Sequence, residues 1–120
     1  MKYLVTDDSK LARLSLIKSL KAHISDEVEI FQATNGEEAI SIMQDKKIDI
    51  VFLDLTMPVM DGYTALPKLL EINPQAKIIV ISADVQQKAQ DMVLNLGAKM
   101  HIQKPINVNK MKTILGTLSR

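Results

Sequence analysis

Asp7, Asp8 and Asp54 are the residues best placed by type and position to do chemistry, with Ser82 and Lys104 beside them. The stretch "KYLVTDDS" empties a short apolar run into two carboxylates, and "IDIVFLDL" does the same with one. "IIVIS" closes on Ser82, and "MHIQK" runs into Lys104. Each polar group follows the carboxyl end of an apolar run. If those runs are parallel strands, all the groups meet on one edge. Two charges about 4 Å apart repel by about 4 kcal/mol at an effective dielectric near 20, so such a cluster must hold protons or a cation. A hard, all-oxygen set with room for water suits Mg²⁺. Taken singly, each residue has an ordinary reading. Asp54 caps a turn, Asp7 and Asp8 favour a helix N-terminus, Ser82 is a turn hydroxyl and Lys104 a solvated lysine. Their shared placement is what points to a site.

The elements that must position them follow from periodicity. Apolar runs at 3–6, 28–33, 48–53, 78–82 and 100–102 read as strands, spaced widely enough for a crossover helix between each pair. Runs 48–53 and 78–82 are apolar nearly throughout, which predicts a parallel sheet covered on both faces. A helix over 10–23 is expected to turn Leu11, Leu14, Ile17 and Leu20 inward. Asn35 caps a second, with Glu38 completing a capping box and Ala39, Ile40 and Met43 inward. A third is expected over 64–72 with Thr64 as N-cap, so that Pro67 falls in its first turn. Residues 86–96 bury Ala89, Met92, Val93 and Leu96 and stop at Gly97. Asn107 caps a last helix that buries Val108, Met111, Ile114, Leu115 and Leu118. Right-handed crossovers then give an α/β doubly wound three-layer sandwich, whose ligands bind beyond the carboxyl ends of the strands.

Composition narrows the field. A chain of 120 residues with 47% hydrophobic and 24% charged side chains fits one soluble domain spanning 1–120. A net charge of +1 gives no field that would draw it to nucleic acid or an anionic membrane. There is no cysteine, hence no thiolate zinc site or disulfide framework. The first apolar run is too short for a signal peptide, and no stretch approaches the length of a membrane span. A cytoplasmic location is the expectation.

"VTDDS", "VFLDLTMPVMDG", "VISAD" and "HIQKP", in this order and spacing, resemble the receiver domain of two-component response regulators. The resemblance covers essentially the whole chain. It implies a flavodoxin-like (βα)5 fold with sheet order 2-1-3-4-5. It implies that Asp54 accepts a phosphoryl group, that Asp7 and Asp8 hold Mg²⁺ together with Asp54 and the backbone carbonyl of Thr56, and that Ser82 and Lys104 engage phosphoryl oxygens. It also implies a cis peptide before Pro105. The partner implied is a sensor histidine kinase. Output would pass through the fourth helix, fifth strand and fifth helix to a partner in chemotaxis, such as a flagellar motor switch protein or a phosphatase. Such a domain catalyses only its own phosphorylation and dephosphorylation, and touches neither DNA nor membrane.

Three positions are particular to this chain. His101 stands where many relatives carry Tyr or Phe, as a rotamer switch or a plain edge-strand histidine. The resemblance places Thr56 and Asp84 at the two positions that commonly tune dephosphorylation in such domains. The resemblance equally fits a phosphorelay intermediate or a receiver belonging to a longer regulator; Met1 directly before the first strand favours a natural start. A phosphohydrolase of the haloacid dehalogenase type would want an acid where Thr56 stands. A flavin carrier would want a phosphate loop where Asp7 and Asp8 stand, and more than 3% aromatic residues.

Overall fold

Strands and helices alternate strictly in the computed structural model, which describes residues 1–24 and 28–119. They are β1 (Lys2–Thr6), α1 (Lys10–Lys21), β2 (Glu29–Ala33), α2 (Gly36–Asp45), β3 (Ile50–Asp54), α3 (Gly62–Ile72), β4 (Lys77–Ser82), α4 (Gln87–Asn95), β5 (Met100–Gln103) and α5 (Val108–Leu118). All pairings are parallel and the sheet order is β2-β1-β3-β4-β5, as the sequence implies. β1 and β3 lie at the centre, in register from Tyr3↔Ile50 to Thr6↔Leu53. Their carboxyl ends therefore finish side by side.

Alternation along the strands splits the core in two. Leu4, Val51, Leu53 and Val80 face one side, with Ala39, Met43, Leu66, Leu69 and Val93 from α2, α3 and α4. Val5, Phe52, Ile79 and Ile81 face the other, with Leu16, Ile17, Leu20, Met111 and Ile114 from α1 and α5. Every residue of β3 is buried. Each fully buried aliphatic side chain contributes about 1.5–3 kcal/mol, so the strand that carries Asp54 is held firmly from both faces.

α1 departs from expectation. It ends at Lys21, and Leu11 is 79% and Leu14 45% exposed. A step of three falls short of a helical turn of 3.6, so Leu11 and Leu20 point in opposite directions after two and a half turns. The buried stripe is instead Leu16, Ile17, Ser19 and Leu20. Met92, midway along α4, and Val108, the first residue of α5, also expected inside, are exposed.

α3 also begins earlier than predicted. Asp61, not Thr64, is its N-cap and accepts the Thr64 N–H at 2.8 Å. Pro67 therefore lies inside the helix, with its ring exposed. The remaining helix starts follow the sequence. Asn35 accepts the Glu38 N–H at 3.0 Å as expected, but the Glu38 carboxylate returns to the Thr34 N–H and hydroxyl, one residue before the cap residue whose N–H a capping box would engage. Gly97, at φ +113°, ends the α4 segment in a conformation that suits glycine.

The N-terminus of α2 rests on the loop after β3. The Gly36 N–H donates to the Met60 carbonyl at 3.0 Å. A Cβ on Gly36 would meet Met60 Cγ at 2.8 Å and Ala65 Cβ at 2.9 Å.

Candidate functional site: an acidic pocket at the carboxyl edge

Asp7, Asp8 and Asp54 come together, each offering an oxygen within 4.8 Å of the others. β1 delivers the first two and β3 the third. Asp7 and Asp54 are each 6% exposed, whereas Asp8 is open to solvent. Lys104, just past β5, reaches in from the other side. Its Nζ donates to Asp7 Oδ2 at 2.7 Å and lies 3.4 Å from Asp54 Oδ1.

Short hydrogen bonds fix the acids. Asp54 Oδ1 accepts the Leu55 N–H at 2.9 Å, and Asp7 Oδ1 accepts the Ser9 N–H at 2.9 Å. Ser9 in turn caps α1 by accepting the Ala12 N–H. Arg13 braces the same turn, donating from a guanidinium nitrogen to the Asp7 carbonyl at 2.8 Å and from Nε to Gln32 Oε1 at 2.9 Å. Nothing in the sequence singles out Arg13, because its acceptor at the pocket is a main-chain oxygen.

Burial and the neighbouring Asp7 push the Asp54 carboxyl above its ordinary range; Lys104 and the Leu55 N–H oppose this without cancelling it. Burial works against the Lys104 ammonium, but the Asp7 hydrogen bond and the charges of Asp54 and Asp7 outweigh it, and its pKa stands above the ordinary lysine value. The donor set fits the ion the sequence suggests. Three carboxylates are hard oxygen ligands, and the exposure of Asp8 leaves one side open to water.

The remaining predicted residues take varied places. Ser82 ends β4, only 3% exposed, and its Oγ accepts the Asp84 N–H at 3.0 Å. The Lys104 N–H donates to the Ser82 carbonyl at 2.9 Å, which ties two of the predicted residues together. The Lys104–Pro105 peptide is cis. Thr56 is exposed in the loop after β3. Asp84 is exposed, and its carboxylate accepts the Gln86 N–H at 2.9 Å at the approach to α4. His101 sits on β5 opposite Val80, half-buried, with Nε2 enclosed and without a hydrogen-bond partner.

Three acids and a lysine gathered where β1, β3 and β5 end, on a doubly wound sheet, define a receiver-type signalling domain. Comparison with known proteins agrees. The chain belongs to the response regulator receiver domain family, which it matches over residues 3–116. It is 37% identical over 117 residues to chemotaxis protein CheY of Thermotoga maritima, covering 98% of this chain and 96% of that protein. CheY of Listeria monocytogenes is 38% identical, with 92% of each chain covered. A protein-glutamate methylesterase/protein-glutamine glutaminase of Paramagnetospirillum magneticum is 36% identical over 92% of this chain but only 29% of its own length. Among solved structures, a chain of the CheX–CheY–BeF3–Mg complex from Borrelia burgdorferi superposes with a TM-score of 0.90 at 31% identity, covering all of this chain and 90% of that one. Among the described residues no helix is long and apolar enough to cross a membrane.

Proposed function

We propose that this domain accepts a phosphoryl group on Asp54 from a histidine kinase and passes the signal on by docking. The observation that carries this is the convergence of Asp7, Asp8, Asp54 and Lys104 in one half-buried pocket. Asp54 Oδ1 is held by the Leu55 N–H, so Oδ2 is the oxygen free to attack. The new bond joins Oδ2 to phosphorus. The bond that breaks joins phosphorus to the imidazole nitrogen of the donor, or to the acyl oxygen of a small phosphodonor, and the leaving group keeps its electron pair. Asp7, Asp8, Asp54 and the Thr56 carbonyl would hold Mg²⁺, which would supply neutralisation of the phosphoryl oxygens. Lys104 then leaves the carboxylates for a phosphoryl oxygen, and the Ser82 hydroxyl turns from the Asp84 N–H to donate to another. The domain turns over no external substrate.

The added charge, about −1.5 to −2, favours the arrangement in which Ser82 and Lys104 face the phosphoryl group. Ser82 ends β4 and Lys104 follows β5, so the change is felt first by α4, β5 and α5. The likeness to CheY proteins along nearly their full length supports a role in chemotaxis, with a motor switch protein or a phosphatase as partner. The likeness to a protein-glutamate methylesterase/protein-glutamine glutaminase, matched over 29% of that protein's length, supports a second arrangement in which the receiver serves a longer regulator.

Treatment with acetyl phosphate and Mg²⁺, followed by intact mass measurement, tests the reading. The native protein gains one phosphoryl group and Asp54→Asn gains none. A gain that survives the substitution moves the acceptor elsewhere.

A further inference from the structure

The backbone on either side of Lys104 is held by another lysine. Lys110 Nζ donates to the Gln103 carbonyl at 2.9 Å and to the Pro105 carbonyl at 3.1 Å, the two acceptors that flank Lys104 in the chain. Lys110 lies in the first turn of α5, and its own N–H is capped by Asn107 Oδ1 at 2.8 Å. The cap and the clamp thus form one closed unit: Asn107 holds the amide of Lys110, and the ammonium of Lys110 returns to the loop that leads into the cap. Ile106, between them, is buried on the core. On the other side the Lys104 N–H is tied to the Ser82 carbonyl at 2.9 Å.

Charge makes the position of Lys110 informative. A helix N-terminus favours anions and disfavours cations. The first turn of α5 holds no acidic residue, yet it holds this ammonium. None of the salt bridges found among the described residues involves Lys110. Among the described residues its protein acceptors are the two loop carbonyls. A residue that works against the helix it belongs to, and spends its donors on both sides of the lysine in the pocket, is arranged for the loop.

We propose that Lys110 is a positioning residue for phosphoryl transfer: it pins the main chain around Lys104, so that the Lys104 ammonium exchanges carboxylate oxygens for a phosphoryl oxygen by side-chain rotation alone. The proposal rests on Asp54 being the acceptor. Lys110 itself touches none of the reacting atoms. Without it the loop after β5 is free to shift, and a displacement of about 1 Å in a charge-stabilising group costs up to about a hundredfold in rate.

The test is a double-mutant cycle read by the rate of mass gain with acetyl phosphate and Mg²⁺. Lys110→Met, which keeps length and loses charge, is expected to slow phosphorylation at saturating donor about tenfold. Lys110→Arg, which keeps the donors, is expected to recover most of that. In a Lys104→Met background the same Lys110→Met change is expected to cost less than twofold, because the group it positions is gone. Thermal melting of all five proteins checks that each is folded, and Lys110→Gln replaces Lys110→Met if the latter is not. An equal loss in both backgrounds, or no loss in the native background, overturns the proposal. Absence of phosphorylation in the native protein defeats the acceptor reading instead, so the two failures are distinct.

Discussion

Gly62 lies against the main chain of Asp54 with no space for a side chain: a Cβ there would overlap the Asp54 carbonyl oxygen and stand 2.9 Å from Leu55 Cα. The Gly62 N–H also donates to the Leu55 carbonyl at 2.9 Å, so the start of α3 is fastened under the end of β3. Gly62→Ala must push one of these main-chain segments away. The expected cost is about 1–3 kcal/mol of stability, as for other overpacked sites, with slower phosphorylation of Asp54. Urea unfolding and the rate of mass gain measure the two effects; an unchanged midpoint would show that the end of β3 yields freely.

Gly116 is the opposite case. A Cβ at this position in α5 meets nothing within 4 Å. Gly116→Ala is expected to stabilise the protein by about 0.5–1 kcal/mol by lowering the entropy lost on folding. The melting temperature should rise by a few degrees, with phosphorylation untouched.

Val59 has φ +66° and is 74% exposed. A β-branched residue in the left-handed region is strained by about 1–2 kcal/mol, and at this exposure packing returns little. Val59→Asn is expected to raise the urea midpoint without changing the slope of the transition. A lower midpoint would mean that the side chain contributes more than its exposure suggests.

The raised carboxyl of Asp54 sets a pH dependence in the absence of divalent ions. The folded protein binds this proton more tightly than the unfolded chain does. Stability therefore falls as pH rises from the unfolded value, 3.8, through the higher folded one. Asp54→Asn has no such proton to lose. In EDTA its stability relative to the native protein should improve as pH rises above about 4 and level off once pH passes the raised folded value. A difference that does not change with pH would remove burial and Asp7 as the cause.

Mg²⁺ should reverse that order. An ion that binds only the folded state stabilises it by about 2.7 kcal/mol at a hundredfold excess over its Kd. Melting with and without MgCl2 should show the gain in the native protein and most of it lost in Asp8→Asn. An equal gain in Asp8→Asn would place the ion elsewhere.

The sheet was legible because β3 and β4 carry little but apolar residues, and because each polar group of the pocket follows a run of its own. Asp7, Asp8, Asp54 and Lys104 could be placed on one edge before their distances were known. The helix faces were less legible. Leu11 and Leu14 fit a step of three by eye, but the true turn rotates them out of the core. Pro67 invited a late start for α3, since proline belongs in a first turn; the chain instead starts the helix at Gly62, where the close approach to Asp54 demands a glycine. Arg13 and Lys110 left no mark in the sequence at all. Lys110 acts on main-chain oxygens, and Arg13 reaches the pocket through one, the Asp7 carbonyl, besides its bond to Gln32; a carbonyl has no letter of its own.

The seating of Gly36 on Met60 bears on how movement is divided within the molecule. With no slack between the first turn of α2 and the loop that leaves Asp54, a displacement of that loop drags a whole helix along the β2–β1 side. β4 and β5 carry Ser82 and the approach to Lys104, and the glycine that ends the α4 segment, Gly97, abuts the flexible Leu70 side chain rather than a loop. One flank is thus geared to the acceptor and the other left to pivot, so a spin label on α2 and one on α4 should report different motions from the same chemical event.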